Sequence, residues 1–150
     1  MSHSRQWQSE RGAELVEFAL VLPLMLLVML GIIDFGLLLQ RYHVVTNAAR
    51  EGARVALLPG YSDPDVQARV TQFLTAGGLT EPAVTTVLPA QSRDIGGGLC
   101  IEVRPVTVQY PYSYSAVGAV ASYFDGTGFS RTGLQATAEM RNEVAAGSCP

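Results

Sequence analysis

The segment RGAELVEFALVLPLMLLVMLGIID, residues 11–34, decides the architecture of this chain. Gly12 is followed by two acidic residues, Glu14 and Glu17, and then by a run from Phe18 to Ile33 that carries no charge. A carboxylate at the edge of a membrane-spanning helix is costly and usually has a function. The interpretation of the chain therefore depends on this order of glycine, glutamate and apolar run.

Length and hydrophobicity predict that the apolar run crosses a membrane. As a helix, its uncharged core would be roughly 24 Å long, somewhat shorter than the roughly 30 Å hydrocarbon core of a bilayer. The apolar pattern resumes after Asp34, so the predicted transmembrane helix extends from Phe18 to Leu39. Apolar side chains surround this helix on all sides, which argues against an amphipathic helix that lies flat on a membrane.

Three other interpretations of the apolar run remain open. The run would be long and uniformly apolar for the buried core helix of a soluble domain. A secretory signal peptide would be followed closely by an Ala-x-Ala cleavage pattern, but Asp34, Gln40 and Arg41 follow here. An uncleaved signal anchor is the main rival, because it explains the hydrophobicity. It leaves Gly12 and Glu17 without a role.

Composition limits the other classes of function. The chain has 150 residues, a formal net charge of -3 and 15% charged residues, which suits one membrane helix with a small head. There is no lysine, and the ten arginines are dispersed, so nucleic-acid binding is not expected. The two cysteines form no Cys-x-x-Cys motif, and the only histidines, His3 and His43, lie far from both of them. We therefore expect no metal, no cofactor and no enzymatic activity.

A glycine five positions before a glutamate, at the start of an apolar helix, resembles the end of a type IV prepilin leader. Together with the stretch Thr46–Arg54 and, more loosely, Ala136–Arg141, it resembles the TadE-like family, the minor pseudopilins of tight-adherence (Tad/Flp) pilus systems. The resemblance implies that a prepilin peptidase cleaves between Gly12 and Ala13. It also implies that Glu17, next to Phe18, pairs with the new amine of a neighbouring subunit during assembly.

The pattern beyond the membrane predicts an α+β head. We expect a prepilin-type leader over 1–12, a transmembrane helix and stalk over 13–58, and a small extracytoplasmic head over 59–150. A second helix should begin at Ser62–Asp65 and end at Gly77-Gly78. A single antiparallel sheet of three or four strands should pack on both helices; the expected strands are Val84–Leu88, Leu99–Arg104, Val106–Tyr110 and Gly133–Glu143. The segment Tyr110–Tyr114 is expected to be a turn-rich aromatic stretch.

Individual residues carry further expectations. A stripe of small residues should let another helix approach the stalk closely; its members are Ala48, Ala49, Gly52, Ala53 and Ala56. Asp34 is expected near the outer membrane face, either exposed to headgroups or paired with a basic residue of a partner. A disulfide between Cys100 and Cys149 would pin the C-terminus in an oxidising compartment.

Orientation and partners follow from these expectations. The cysteines favour a cytoplasmic N-terminus and an extracytoplasmic head in a single-pass protein of the inner membrane, although the arginine count alone points the other way. The implied partners are the prepilin peptidase, other pilins or pseudopilins, inner-membrane pilus assembly proteins and the lipid bilayer. The alternative function is an uncleaved, membrane-anchored binding module unrelated to pili.

Overall fold

The computed structural model describes residues 6–97, 99–114, 116–123, 132–141 and 147–148. The helices are α1 (Gln6–Ala56), α2 (Asp63–Ala76) and α3 (Ala116–Tyr123). The strands are β1 (Val84–Val87), β2 (Gln91–Asp94), β3 (Leu99–Val103), β4 (Val106–Tyr112), β5 (Thr132–Ala138) and β6 (Gly147–Ser148). A long helix, a second helix and small antiparallel sheets confirm the predicted α+β class.

Helix α1 contains both the predicted transmembrane span and the stalk. It comprises 51 residues, which corresponds to a length of roughly 75 Å. It continues through Pro23, as membrane helices can when local adjustment satisfies the freed carbonyl. The helix ends at Ala56, ahead of Pro59 and Gly60, where the sequence placed the break.

Helix α2 begins and ends where the turn residues predicted. Ser62 is the residue before the helix, and the Asp65 carboxylate accepts a hydrogen bond from its backbone N–H at 2.8 Å. Gly77 directly follows the helix, and the next residue, Gly78, has φ +79°, a conformation that favours glycine. Val66, Val70 and Leu74 are buried, whereas Phe73 is 37% exposed.

One face of α1 forms the floor of the head. Its buried residues recur every three or four positions, from Val45 through Ala48 and Gly52 to Ala56. The stripe of small residues is packed as predicted: a Cβ built on Gly52 would lie 2.6 Å from Val70 Cγ2 of α2 and 3.2 Å from Val106 Cγ1 of β4. A side chain at this position would therefore hold apart the three elements that meet there.

The main sheet has the order β1-β4-β5 and lies against α1. Side chains along β4 alternate between buried and more exposed positions, with Val106, Val108, Tyr110 and Tyr112 buried. Its neighbour β5 adds Leu134 and Ala136 to the same core. This alternation is what an antiparallel sheet with one covered face requires.

The described part of the head forms two three-stranded sheets, so the expectation of a single sheet was wrong. The second sheet has the order β2-β3-β6. The break lies at Arg104-Pro105, where the chain leaves β3 and enters β4 of the other sheet. Proline has no backbone N–H for a ladder hydrogen bond, while the Pro105 carbonyl still accepts from the Leu88 N–H at 2.9 Å.

The sequence suggested a turn-rich aromatic segment from Tyr110. This expectation was wrong, because β4 continues to Tyr112. Pro111 is tolerated there because β1 pairs with β4 only as far as Gln109, which leaves β5 as the neighbour of Pro111. The final strand was predicted to reach Glu143, but β5 ends at Ala138, and residues 142–143 lie outside the described residues.

Helix α3 was not predicted. It covers Ala116–Tyr123 and packs against α1. The residues that follow it, 124–131, lie outside the described residues.

Candidate functional site

The first half of α1 presents a continuous apolar surface. Among the described residues, one helix is long and apolar enough to cross a membrane, with a mean hydropathy of 2.6 in its most apolar window and none of that window buried. Large side chains such as Leu20 and Leu24 are 75% and 64% exposed. Such a surface is far larger than a soluble monomer tolerates, and it is consistent with a membrane-anchored protein.

The predicted processing and assembly residues lie together at the start of this surface. Gly12, Ala13, Glu17 and Phe18 are all exposed on α1, and a Cβ on Gly12 would have no atom within 4 Å. Glu14 lies one turn before Glu17 and is exposed as well. Gly12 lies inside helical backbone, so a peptidase that reads an extended substrate would have to open this end of α1.

Asp34 is placed differently from the exposed interfacial residue that the sequence suggested. It is only 2% exposed, and its Oδ2 accepts a hydrogen bond from the backbone N–H of Val117 at 2.7 Å. Val117 is in the first turn of α3, where backbone N–H groups have no partner within the helix. The carboxylate of the membrane helix thus caps a helix of the head.

Tyr112 and Arg41 complete this junction. The Tyr112 hydroxyl donates to the backbone carbonyl of Asp34 at 3.3 Å, and the Arg41 guanidinium lies over the Tyr112 ring, 5.0 Å from its centre. Burial, and next the negative charge of Asp34, raise the pKa of Tyr112. Tyr114 packs edge-on against the same ring at 5.1 Å. The sequence did not predict the contacts of Tyr112 and Arg41, because their partners are distant along the chain.

A second polar junction ties the stalk to α2. The Glu51 carboxylate accepts hydrogen bonds from Arg54 on its own helix and from Arg69 on α2, each with one contact of 2.9 Å. These hydrogen bonds lower the pKa of Glu51 from 4.5 to about 2. The contact between Glu51 and Arg69 was not predicted from the sequence, because the two residues are 18 positions apart.

Arg104 closes the far end of the stalk. One guanidinium nitrogen donates to the carbonyl of Ala56, the last residue of α1, at 3.2 Å, and the other contacts the Asp63 carboxylate at 2.6 Å. The four last carbonyls of a helix have no partner within it, and a cation there also suits the helix dipole. Arg104 therefore joins the end of α1, the start of α2 and the junction of the two sheets.

One of the two cysteines of the predicted disulfide lies among the described residues. Cys100 lies in β3, opposite Gly147 of β6 in the register of the second sheet. No cysteine among the described residues is a free thiol. Cys149 lies outside the described residues, so the disulfide between Cys100 and Cys149 stays a prediction, which peptide mapping without reduction would test.

Comparisons with known proteins address the helix that carries these features. Residues 12–54 match the family model described as TadE-like protein. No curated protein and no solved structure gave a significant match. The matched segment contains Gly12, Glu17, Asp34 and every member of the stripe of small residues except Ala56. A match to this family suggests involvement in Tad pilus systems. From Gly12 to Arg54, the long N-terminal helix of this chain is similar to the TadE-like family, as its sequence indicated.

Proposed function

We propose that this chain is a minor pseudopilin, or a membrane component needed for assembly of a Tad/Flp-type pilus, and that a prepilin peptidase processes it. The observation that supports this most is α1 itself. From Phe18 to Met29 the helix is uncharged and exposed, while one of its faces from Val45 to Ala56 is buried in the head. A single helix that anchors in lipid at one end and carries a packed head at the other is the form of a pilin subunit.

Glu17 is the residue that we propose for assembly. It lies on the exposed apolar surface, and the described residues offer it no hydrogen bond or ion pair. A lone carboxylate near hydrocarbon is costly, and so is a lone ammonium; pairing the two recovers much of that cost. Within one subunit, the helical backbone keeps the amine of Ala13 a full turn away from the Glu17 side chain. The partner we propose is therefore the Ala13 amine of a neighbouring subunit.

Gly12 and Ala13 form the proposed processing site. Nothing in the head approaches Gly12, since even a Cβ there would meet no atom within 4 Å. Glycine is also among the weakest helix formers, by about 1 kcal/mol relative to alanine. This end of α1 is therefore accessible to a membrane peptidase and comparatively easy to open. Cleavage would make Ala13 the first residue of the mature chain.

We place the N-terminus in the cytoplasm and the head outside the inner membrane. In this orientation the junctions at Asp34 and Glu51 and the predicted disulfide belong to the extracytoplasmic half. The chain is then a substrate of an enzyme and a binding partner of other pilins, pseudopilins and inner-membrane assembly proteins. We propose no catalytic role for its own side chains and no cofactor.

Genetic removal tests the function as a whole. Deleting this chain from its host should reduce or abolish Tad-type pili on the cell surface, and the wild-type chain should restore them. A variant with Glu17→Ala should reach the membrane without restoring pili. Normal piliation of the deletion strain would contradict the proposal, and would favour a membrane-anchored binding module unrelated to pili.

A further inference from the structure

Helix α3 lies at the level of the outer end of the predicted span. Its first turn is fixed to Asp34 through the Val117 N–H. Asp34 directly follows the uncharged run and lies five residues, about 7.5 Å along the axis, before Leu39. An element attached at this height is beside the outer membrane boundary wherever the hydrocarbon ends between these two residues.

The composition of α3 suits this boundary. Its sequence, AVGAVASY, contains no charged side chain. Ala119 and Ser122 are exposed, and the Ser122 hydroxyl donates to the Ala119 carbonyl of the same helix at 2.7 Å. Its polar hydroxyl therefore has a partner without water. Neither of these two exposed residues is therefore costly to place at a lipid interface.

The surface of α1 next to this level is also apolar. Ile33 and Phe35, which flank Asp34, are 46% and 59% exposed, so the apolar surface of the span continues past the aspartate. The carboxylate itself is concealed, with 2% exposure and a backbone N–H to accept. An ionised carboxylate exposed at this depth would be costly. The next charged side chain outward on α1 is Arg41, whose guanidinium covers Tyr112.

We propose that α3 is an interfacial membrane element, immersed at the boundary between headgroups and acyl chains of the outer leaflet, with Asp34 as the buried cap that holds it there. The partner is the lipid bilayer, because α3 is fixed to Asp34, directly beside the exposed apolar residues Ile33 and Phe35 of the predicted span. The head then rests on the membrane at a fixed height, so that α1 leaves the bilayer with its orientation set. This inference depends on the membrane anchoring in the proposed function.

Depth-dependent fluorescence quenching tests the proposal on the full chain. The native tryptophan, Trp7, is first removed by Trp7→Phe, and single probes are then introduced by Ala119→Trp on α3, Leu27→Trp in the span and Tyr61→Trp in the head. Tyr61 is 52% exposed and follows α1, whose end at Ala56 is about 33 Å from Asp34. Each protein is reconstituted in phosphatidylethanolamine–phosphatidylglycerol vesicles that contain lipids brominated at shallow or deep acyl positions.

The α3 probe should emit at shorter wavelength than the Tyr61→Trp probe and be quenched best by shallow bromines. The Leu27→Trp probe should be quenched best by deep bromines, and the Tyr61→Trp probe by neither. A second α3 probe, Ser122→Trp, guards against a local distortion at position 119. If both α3 probes are unquenched while the span probe is quenched, the interfacial role of α3 is wrong and the anchoring stands. An unquenched span probe would overturn the anchoring and this inference together.

Discussion

The carboxylate of Asp34 accepts a hydrogen bond from the backbone N–H of Val117 at 2.7 Å, across 83 positions of sequence. Asp34 belongs to the TadE-like segment and Val117 to the head, so this contact fixes the position of α3 on the membrane helix. The contact also accounts for an aspartate within an apolar surface, because its charge is turned away from that surface.

Asp34→Ala should detach α3 from α1. Loss of a capping carboxylate costs about 0.5–2 kcal/mol, and the Val117 N–H would be left without its acceptor. Hydrogen exchange of the α3 amides, measured by mass spectrometry in detergent or lipid, should become faster while exchange in α2 is unchanged. Asp34→Asn keeps an acceptor oxygen and is the matched control, with a smaller effect. Unchanged exchange in the alanine variant would show that the contact does not hold α3.

The Glu51 junction should make part of the stability of the head depend on pH. Because its pKa is lowered from 4.5 to about 2 in the folded state, the stabilisation is complete above 4.5 and is lost as the pH falls from 4.5 toward 2. Arg54 and Arg69 are 58% and 44% exposed, so solvent screening limits the effect to about 1 kcal/mol.

Thermal unfolding followed by circular dichroism across this acid range checks the prediction. Glu51→Gln should lower the melting temperature at neutral pH and flatten its dependence on acid. Asp65→Asn is the control. It removes a carboxylate on α2 that accepts a hydrogen bond from Ser62 and not from an arginine. An equal acid dependence in wild type and Glu51→Gln would be incompatible with the proposed role of Glu51.

Gly52→Val should destabilise the head by separating α1 from α2. Any Cβ at this position meets Val70 at 2.6 Å. Overpacking of this kind typically costs about 1–3 kcal/mol. Gly36→Ala is the matched control, because a Cβ there meets nothing within 4 Å. Chemical denaturation should show a lower midpoint for Gly52→Val alone. Equal midpoints would mean that the helices are not in close contact here.

The sequence predicted those parts of the fold that depend on local pattern. The apolar run, the small residues around Gly52 and the turn residues at both ends of α2 each specify their element from within a few positions. The capping of α3 by Asp34 was missed because it depends on a contact between distant segments. The division into two sheets was missed because Pro105 could equally mark a bulge in one sheet, and neighbouring sequence does not decide between the two.

Glu17→Ala should separate assembly from folding and processing. Removal of the carboxylate should ease insertion of α1 into the membrane, while the Ala13 amine of the next subunit loses the charge that offsets its burial. Membrane level, precursor cleavage and association with other pilins should be measured on the same variant. We expect normal level and cleavage with impaired association. Glu14→Ala, one turn away, is the control and should associate normally; full association of the Glu17 variant would leave Glu17 an ordinary interfacial carboxylate.

The intact mass of the mature protein, purified from the membranes of its host, tests the central claim most directly. Processing by a prepilin peptidase predicts a chain that begins at Ala13, with the leader 1–12 absent, and predicts that Gly12→Leu accumulates as the full-length precursor. A wild-type chain that still begins at Met1 or Ser2 would contradict the pseudopilin account and favour an uncleaved membrane anchor.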